Sequence, residues 1–505
     1  MGNNRKPNTQ KGLKHSRRLT PPAQLCGWQD FFQSVAEEDC RFAAGYRNDT
    51  SSNNVGENGN YWSSTLSSSN SNNAQNLNFN SSNHNTNNNN RRNGQSVRPV
   101  TALTRIQLLA DLYKAYRCAR LHKRSRRYQL RFEMNLEENL NNLCDELINR
   151  TYQPGTCSTF IVYEPKQREV FAAPFRDRIV HHLYYNYTHQ LFERTFIADT
   201  YSCIKKRGTH YGVNRLEHHI RSVSQNYTRE CYVMKLDIKG YFMSINRQRL
   251  LDIATEILNS QRHHRIGSQG ETWDEVLNYD LILYLTRVII LHNPIKNCIR
   301  RGNATDWNGL PSSKSLFFSK EGCGLPIGNL TSQLFSNVYL NCLDQYVKRV
   351  LKCVHYGRYV DDMYFVDTSK QHLRQMCDGV NQFLQQHLQL SLHPDKIQMF
   401  SVHQGVEFLG QYVMPHRRYI SNHSKRRINQ GMAILAAKRE IETLRLQASV
   451  NSYAGILGHV RSYRYWAATI QQNSWLFRFG VFRKGWGNLI NRNMGEFLYV
   501  SYNSV

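Results

Sequence analysis

The sequence predicts an α+β protein of several domains whose chemistry sits on a sheet, and three observations predict it. The run RYVDDMYFV places two adjacent acids, Asp361 and Asp362, inside an otherwise apolar stretch. On a continuous strand their side chains would point to opposite faces, so the pair reads as the tip of a β-hairpin. Upstream, VMKLDIKGYFMSIN at 233–246 is a short β-like run ending in Asp237, followed by a glycine and the aromatic pair Tyr241 and Phe242. A lone Asp-Asp turn is most often merely solvated. Two acid-tipped strands can instead converge, and hard carboxylate oxygens suit Mg²⁺. Around both segments lie long stretches with apolar residues at helical spacing, which completes the α+β reading.

In chain order, the first hundred residues stand apart. Between Arg41 and Val100 asparagine supplies 18 of 60 residues, and apolar residues are too sparse for a core, so residues 1–100 are expected to be largely disordered. From Thr101 the chain becomes globular. TALTRIQLLADLYKAYRCAR has helical spacing, and MNLEENLNNLCDELINRTYQPG gives a second helix stopped by Pro154-Gly155. STFIVYEPKQREVFAAPFRDRIVHHLYYNY reads as two strands and a helix, and VLNYDLILYLTRVIILH as helical. NCIRRGNATDWNGLPSSKSLFF is loop-like, residues 370–390 suit an amphipathic helix, and the chain from about residue 420 is helical and basic. The glycines of EGCGLPIGNL form neither GxGxxG nor a P-loop, because Pro326 interrupts them and no lysine follows.

Composition narrows the partners. Sixty-five lysines and arginines against 38 acids give a formal net charge of +27 over 505 residues, which implies a polyanionic partner. RCARLHKRSRRYQLR at 117–131 and SKRR at 424–427 would neutralise phosphates. Twelve cysteines without a CxxC pair point to a reducing compartment without disulfides, and 20 histidines without HExxH read as structural or RNA-facing. The basic start is neither signal peptide nor membrane anchor, Lys6 departs from the myristoylation pattern, and no stretch is long enough to cross a membrane. A soluble cytoplasmic protein, bacterial or phage-encoded, is expected.

LDIKGYFMSI, then GLPIGNLTSQLFSNVYLN at 324–341, then YVDD resemble, in that order, the palm motifs of reverse transcriptases. The resemblance implies a right-hand polymerase: N-terminal helices and fingers over 101–232, a palm with an antiparallel sheet over 233–415 carrying an insertion at about 255–322, and a helical thumb over 416–505. SLHPDKIQMF and VEFLGQYV then look like later palm strands and a primer-grip turn. Two Mg²⁺ ions would be held by Asp237, Asp361 and Asp362, with the Ile238 carbonyl facing a metal. Lys396 matches a palm lysine that protonates departing pyrophosphate, or is an ordinary exposed lysine. Lys166 and Arg168 match the region that clamps the triphosphate of the incoming dNTP, and exposed strand cations are the alternative. Phe242 matches an aromatic steric gate under the sugar, in competition with core packing. Ile327, Gly328 and Gln333 fall in the motif at the nascent base pair. Lys205, Lys206 and Arg207, in SCIKKRGTHYGVNRLEHHI, match a template-contacting segment.

Most reverse transcriptases have glutamine before the last glycine of that motif and proline after its serine, where this chain has Ile327 and Gln333. The IGNLTSQ version resembles the enzymes of diversity-generating retroelements. An amide can hydrogen-bond near the nascent pair and isoleucine cannot, so looser discrimination is expected. AAGYRN, GNYWSST, NLNFN and NGQSVRPV resemble the end of a C-type-lectin or formylglycine-generating-enzyme-type variable domain, the kind of sequence such retroelements diversify. Asparagine codons begin with two adenines, so a translated template repeat would look like residues 43–100. The resemblance implies error-prone copying of template-repeat RNA into cDNA, with a basic accessory variability protein as partner. A retron or group-II-intron-like reverse transcriptase, and a non-catalytic RNA-binding or display protein, are the alternatives.

Overall fold

A computed structural model of the chain describes residues 105–491, apart from 122–125, 164–165, 267–269, 439–441 and 484–486, together with six short strands between Tyr46 and Gln95. Two compact units are present, residues 1–100 and 101–505. In the first, Gly59–Leu66, Asn73–Phe79 and His84–Asn90 form an antiparallel sheet, and Ser51–Asn53, Tyr46–Asn48 and Gly94–Gln95 form another. Composition leads one to expect little order here. Ladder hydrogen bonds join backbones, however, and need no apolar side chain. The basic start and the end of the prefix at 96–100 lie outside the described residues.

In the second unit the helix Phe175–Glu193 is the hub. Ile179, Val180, Leu183, Leu191 and Phe192 are buried along it, against the helices Arg105–Arg120 and Leu330–Arg349. Helix Leu136–Ile148 joins the same core and ends ahead of Pro154-Gly155, where the sequence stops it. Cys157–Val162 and Arg168–Ala172 then form the expected antiparallel pair.

The segment expected to be loop-like, NCIRRGNATDWNGLPSSKSLFF, is partly ordered. Cys298–Arg300 adds a parallel third strand beside Cys157–Val162, and three single 3₁₀ turns follow. They close on Glu169, a fully buried carboxylate that accepts from Trp307 Nε1 (2.8 Å), Ser315 Oγ (3.0 Å) and the Leu316 amide (2.6 Å). A three-residue strand and isolated 3₁₀ turns have no period to read.

Four antiparallel strands make the central sheet, in the order Tyr356–Tyr359, Asp362–Asp367, Tyr232–Asp237, Gln398–Ser401. Met234, Leu236, Met363 and Phe365 face the main core, whereas Val233, Tyr364 and Val366 face a second cluster with Val213, Leu216 and Phe408. With both faces covered, these strands read as near-continuous apolar runs and not as alternating ones. Helix Lys370–Leu388 covers the first face and Thr209–Val223 the second. Beyond a small sheet centred on Gln411–Met414, helices Asn422–Ala436, Thr443–Leu457 and Tyr463–Gln472 enclose a separate core of Ile428, Met432, Val450, Trp466 and Ile470.

Candidate active site

The hairpin is present, with its turn one residue earlier than the predicted Asp-Asp tip. Tyr359 pairs with Asp362, leaving Val360 and Asp361 as a two-residue turn, and Asp362 stands directly opposite Asp237 on the neighbouring strand. All three acids therefore lie at one end of the central sheet. Like charges facing each other across two strands destabilise unless something cationic joins them.

Two lysines do part of that. Lys396 Nζ donates to Asp237 Oδ2 at 2.6 Å, from the turn Pro394–Lys396 that leads into Gln398–Ser401. Lys235, on the Asp237 strand and diagonal to Asp362, brings Nζ to 3.8 Å from its Oδ1. Lys235 was missed by the sequence reading, although its place two residues before Asp237 puts it on the same strand face. Among the described residues Asp361 has no ion pair of its own. Burial pushes its carboxyl up to about 6, and the negative charge of Asp237 adds to the rise. Burial raises Asp362 also, opposed by the Lys235 ammonium.

This donor set fits a divalent cation. Carboxylate oxygens of all three acids lie at one end of the sheet, and an acid whose ionisation burial opposes would be relieved by positive charge. Among the described residues no three His, Cys, Asp or Glu side chains close into a ready-made metal cage. An ion held here would complete its shell from water and phosphate oxygens, as Mg²⁺ commonly does. The bridge between Ile238 and Leu392 uses the Asp237 carbonyl and the Lys239 amide, not the Ile238 carbonyl, so that oxygen is outside the ladder.

Beside the acids, Phe242 is half-buried on the short helix Tyr241–Ser244 and packs with Ile327 on a small cluster of Cys157, Phe171, Met243 and Leu316. The backbone fixes both residues: the Phe242 carbonyl accepts from the Leu325 amide, and the Ile327 carbonyl from the Phe171 amide, each at 2.8 Å. Gly328 has φ +123°, and a Cβ there would meet the Phe171 carbonyl oxygen at 2.9 Å, so only glycine lets this loop lie against the strand Arg168–Ala172. Gln333 is exposed on helix Leu330–Arg349, where its Oε1 lies 3.6 Å from Cys203 Sγ.

Lys166 and Arg168 are exposed at the hairpin formed with Cys157–Val162. Lys205 and Lys206 are exposed too, whereas Arg207 Nη1 donates to the carbonyls of Ile197 (3.0 Å) and Thr200 (3.1 Å) and so braces its own loop.

No curated protein sequence matches the chain. Among solved structures it is similar to apo telomerase from Candida tropicalis truncated from its C-terminal domain, at 11% identity and TM-score 0.37, covering 53% of this chain and 55% of that one. It is also similar to telomerase from Candida albicans in complex with a TWJ fragment of telomeric RNA, at 10% identity and TM-score 0.37, covering 64% and 57%. The chain thus spans a little over half the length of these structures. Residues 166–413, the stretch that holds the central sheet and all three acids, match the family described as reverse transcriptase (RNA-dependent DNA polymerase), and the chain accordingly contains a reverse transcriptase domain.

Proposed function

We propose that the protein is an RNA-directed DNA polymerase of a diversity-generating retroelement, copying template-repeat RNA into cDNA with errors concentrated at adenine. The observation that carries the polymerase reading is the strand register, which sets Asp362 opposite Asp237 with Asp361 at the adjoining turn. Asp237, Asp361 and Asp362 would hold two Mg²⁺ ions, which when bound would activate a primer 3′-hydroxyl and neutralise pyrophosphate leaving the α-phosphate of a dNTP. Lys396 keeps Asp237 paired before metal arrives and is then free to donate a proton to the leaving group. Phe242 bars a ribose 2′-hydroxyl, and Lys166 and Arg168 draw in the triphosphate.

Support for the retroelement assignment comes from Ile327. It offers the nascent pair an apolar surface backed by Phe171 and Met243, where an amide would report base-pair geometry. Template RNA and the primer–cDNA duplex would lie against the basic surfaces, including Lys205 and Lys206. A small basic accessory variability protein is the expected protein partner, in a bacterial cytoplasm.

The test is RNA-templated primer extension with Mg²⁺, dNTPs and the accessory protein, followed by sequencing of the cDNA. The expected outcome is misincorporation concentrated opposite template adenines. Errors spread evenly over the four bases would favour a retron or group-II-intron-like enzyme, and absence of extension would favour a non-catalytic RNA-binding protein.

A further inference from the structure

Val360, the first residue of the aspartate turn, has φ +56°. A left-handed backbone is unfavourable for any L-residue and most so for a β-branched one, which is why two-residue hairpins ordinarily use Asn-Gly or Asp-Gly. Something other than intrinsic preference must hold this turn.

Both backbone groups of Val360 are held. Its amide donates to Ser202 Oγ at 3.1 Å, and its carbonyl accepts from Arg358 Nη1 at 2.8 Å. Ser202 Oγ in turn donates to Asn337 Oδ1 (3.1 Å), Asn337 Nδ2 donates to the Ser202 carbonyl (2.7 Å), and Arg358 Nη1 also donates to Asn337 Oδ1 (3.2 Å). The ring is closed. Arg358 is fully buried and is neutralised by Asp344, equally buried, through bonds of 2.8 and 2.6 Å. Thr200 Oγ1 (3.0 Å) and the Tyr356 hydroxyl (2.7 Å) donate to the same carboxylate. Segment 199–202 reaches the turn because it runs beside Tyr356–Tyr359, with the Arg358 amide on the Asp199 carbonyl (2.9 Å) and the Tyr201 amide on the Arg358 carbonyl (3.0 Å).

We propose that Ser202, Asn337 and Arg358 are positioning residues that clamp Val360 in its left-handed conformation and thereby aim the Asp361 carboxylate. They do for valine what glycine does in an ordinary turn. The proposal rests on the reading of Asp361 as a catalytic ligand. It differs from a general stabilising role because the clamp should matter only while residue 360 resists a positive φ.

The experiment compares Ser202→Ala in the wild-type chain and in a Val360→Gly background, measuring kcat and KM for dNTP in RNA-templated extension alongside the thermal midpoint. With Val360 retained, Ser202→Ala should lower kcat about tenfold and leave KM within about twofold. In the Val360→Gly background, where positive φ costs little, the same change should lower kcat by less than about threefold. An equal loss in both backgrounds, no loss with Val360 retained, or a loss that tracks the thermal midpoint would overturn the clamp. Asp361→Asn separates the two layers: if it remains active, the catalytic reading of the hairpin fails irrespective of the clamp.

Discussion

Asp361 sits where burial and the neighbouring Asp237 both oppose its ionisation, so it retains a proton up to about pH 6 in the folded chain without metal. An unfolded aspartate titrates near ~3.9. Between these values the folded state binds more protons than the unfolded one, and stability falls as pH rises through the window. Asp361→Asn, which cannot ionise, should therefore raise the thermal midpoint of the metal-free protein by a few degrees at pH 7.5. The gain should shrink towards pH 4. Thermal melts in chelator across that range check both, and a gain that does not change with pH would refute the charge argument.

Ile327 carries the fidelity reading at the same scale. Ile327→Gln should lower the share of errors at template adenine several-fold, measured by sequencing cDNA from both proteins on one RNA. Its rate should also fall, since an amide left unsatisfied beside Phe171 and Met243 costs roughly 1 to 3 kcal/mol. An unchanged adenine error share would move the permissiveness to the partner or the RNA.

At the scale of elements, the hairpin and its two supporting layers act together. Gly357 lies on the edge strand, where a Cβ would run into the hydroxyls of Tyr201 and Tyr364, themselves hydrogen-bonded at 2.7 Å. Gly357→Ala should lower thermal midpoint and activity together, unlike a change in the clamp; calorimetry beside a primer-extension assay distinguishes them. The acids, the hairpin and the flanking helices were legible because strand alternation and 3.6-residue spacing write themselves into local sequence. The clamp was not. Ser202, Asn337 and Arg358 are remote from one another in the chain, and nothing local to YVDD marks the arginine before it as wholly buried against Asp344. Glu169 was hidden similarly, since its partners Trp307, Ser315 and Leu316 come from an aperiodic stretch.

At the scale of the molecule, the asparagine-rich unit and the unit that begins at Thr101 are separate bodies, and every residue assigned to chemistry belongs to the second. A protein lacking residues 1–94 should therefore extend a primer on RNA at close to the full-length rate. If it folds but does not extend, the first unit takes part in synthesis. The central claim, that Asp237, Asp361 and Asp362 make this a polymerase copying RNA, is tested most directly by Mg²⁺-dependent primer extension with Asp237→Asn and Asp361→Asn, RNA binding being measured in parallel. Extension should fall by more than about a hundredfold in each variant while RNA affinity, governed by a net charge of +27, changes by less than about threefold. Extension near the wild-type rate in either variant would contradict the central claim.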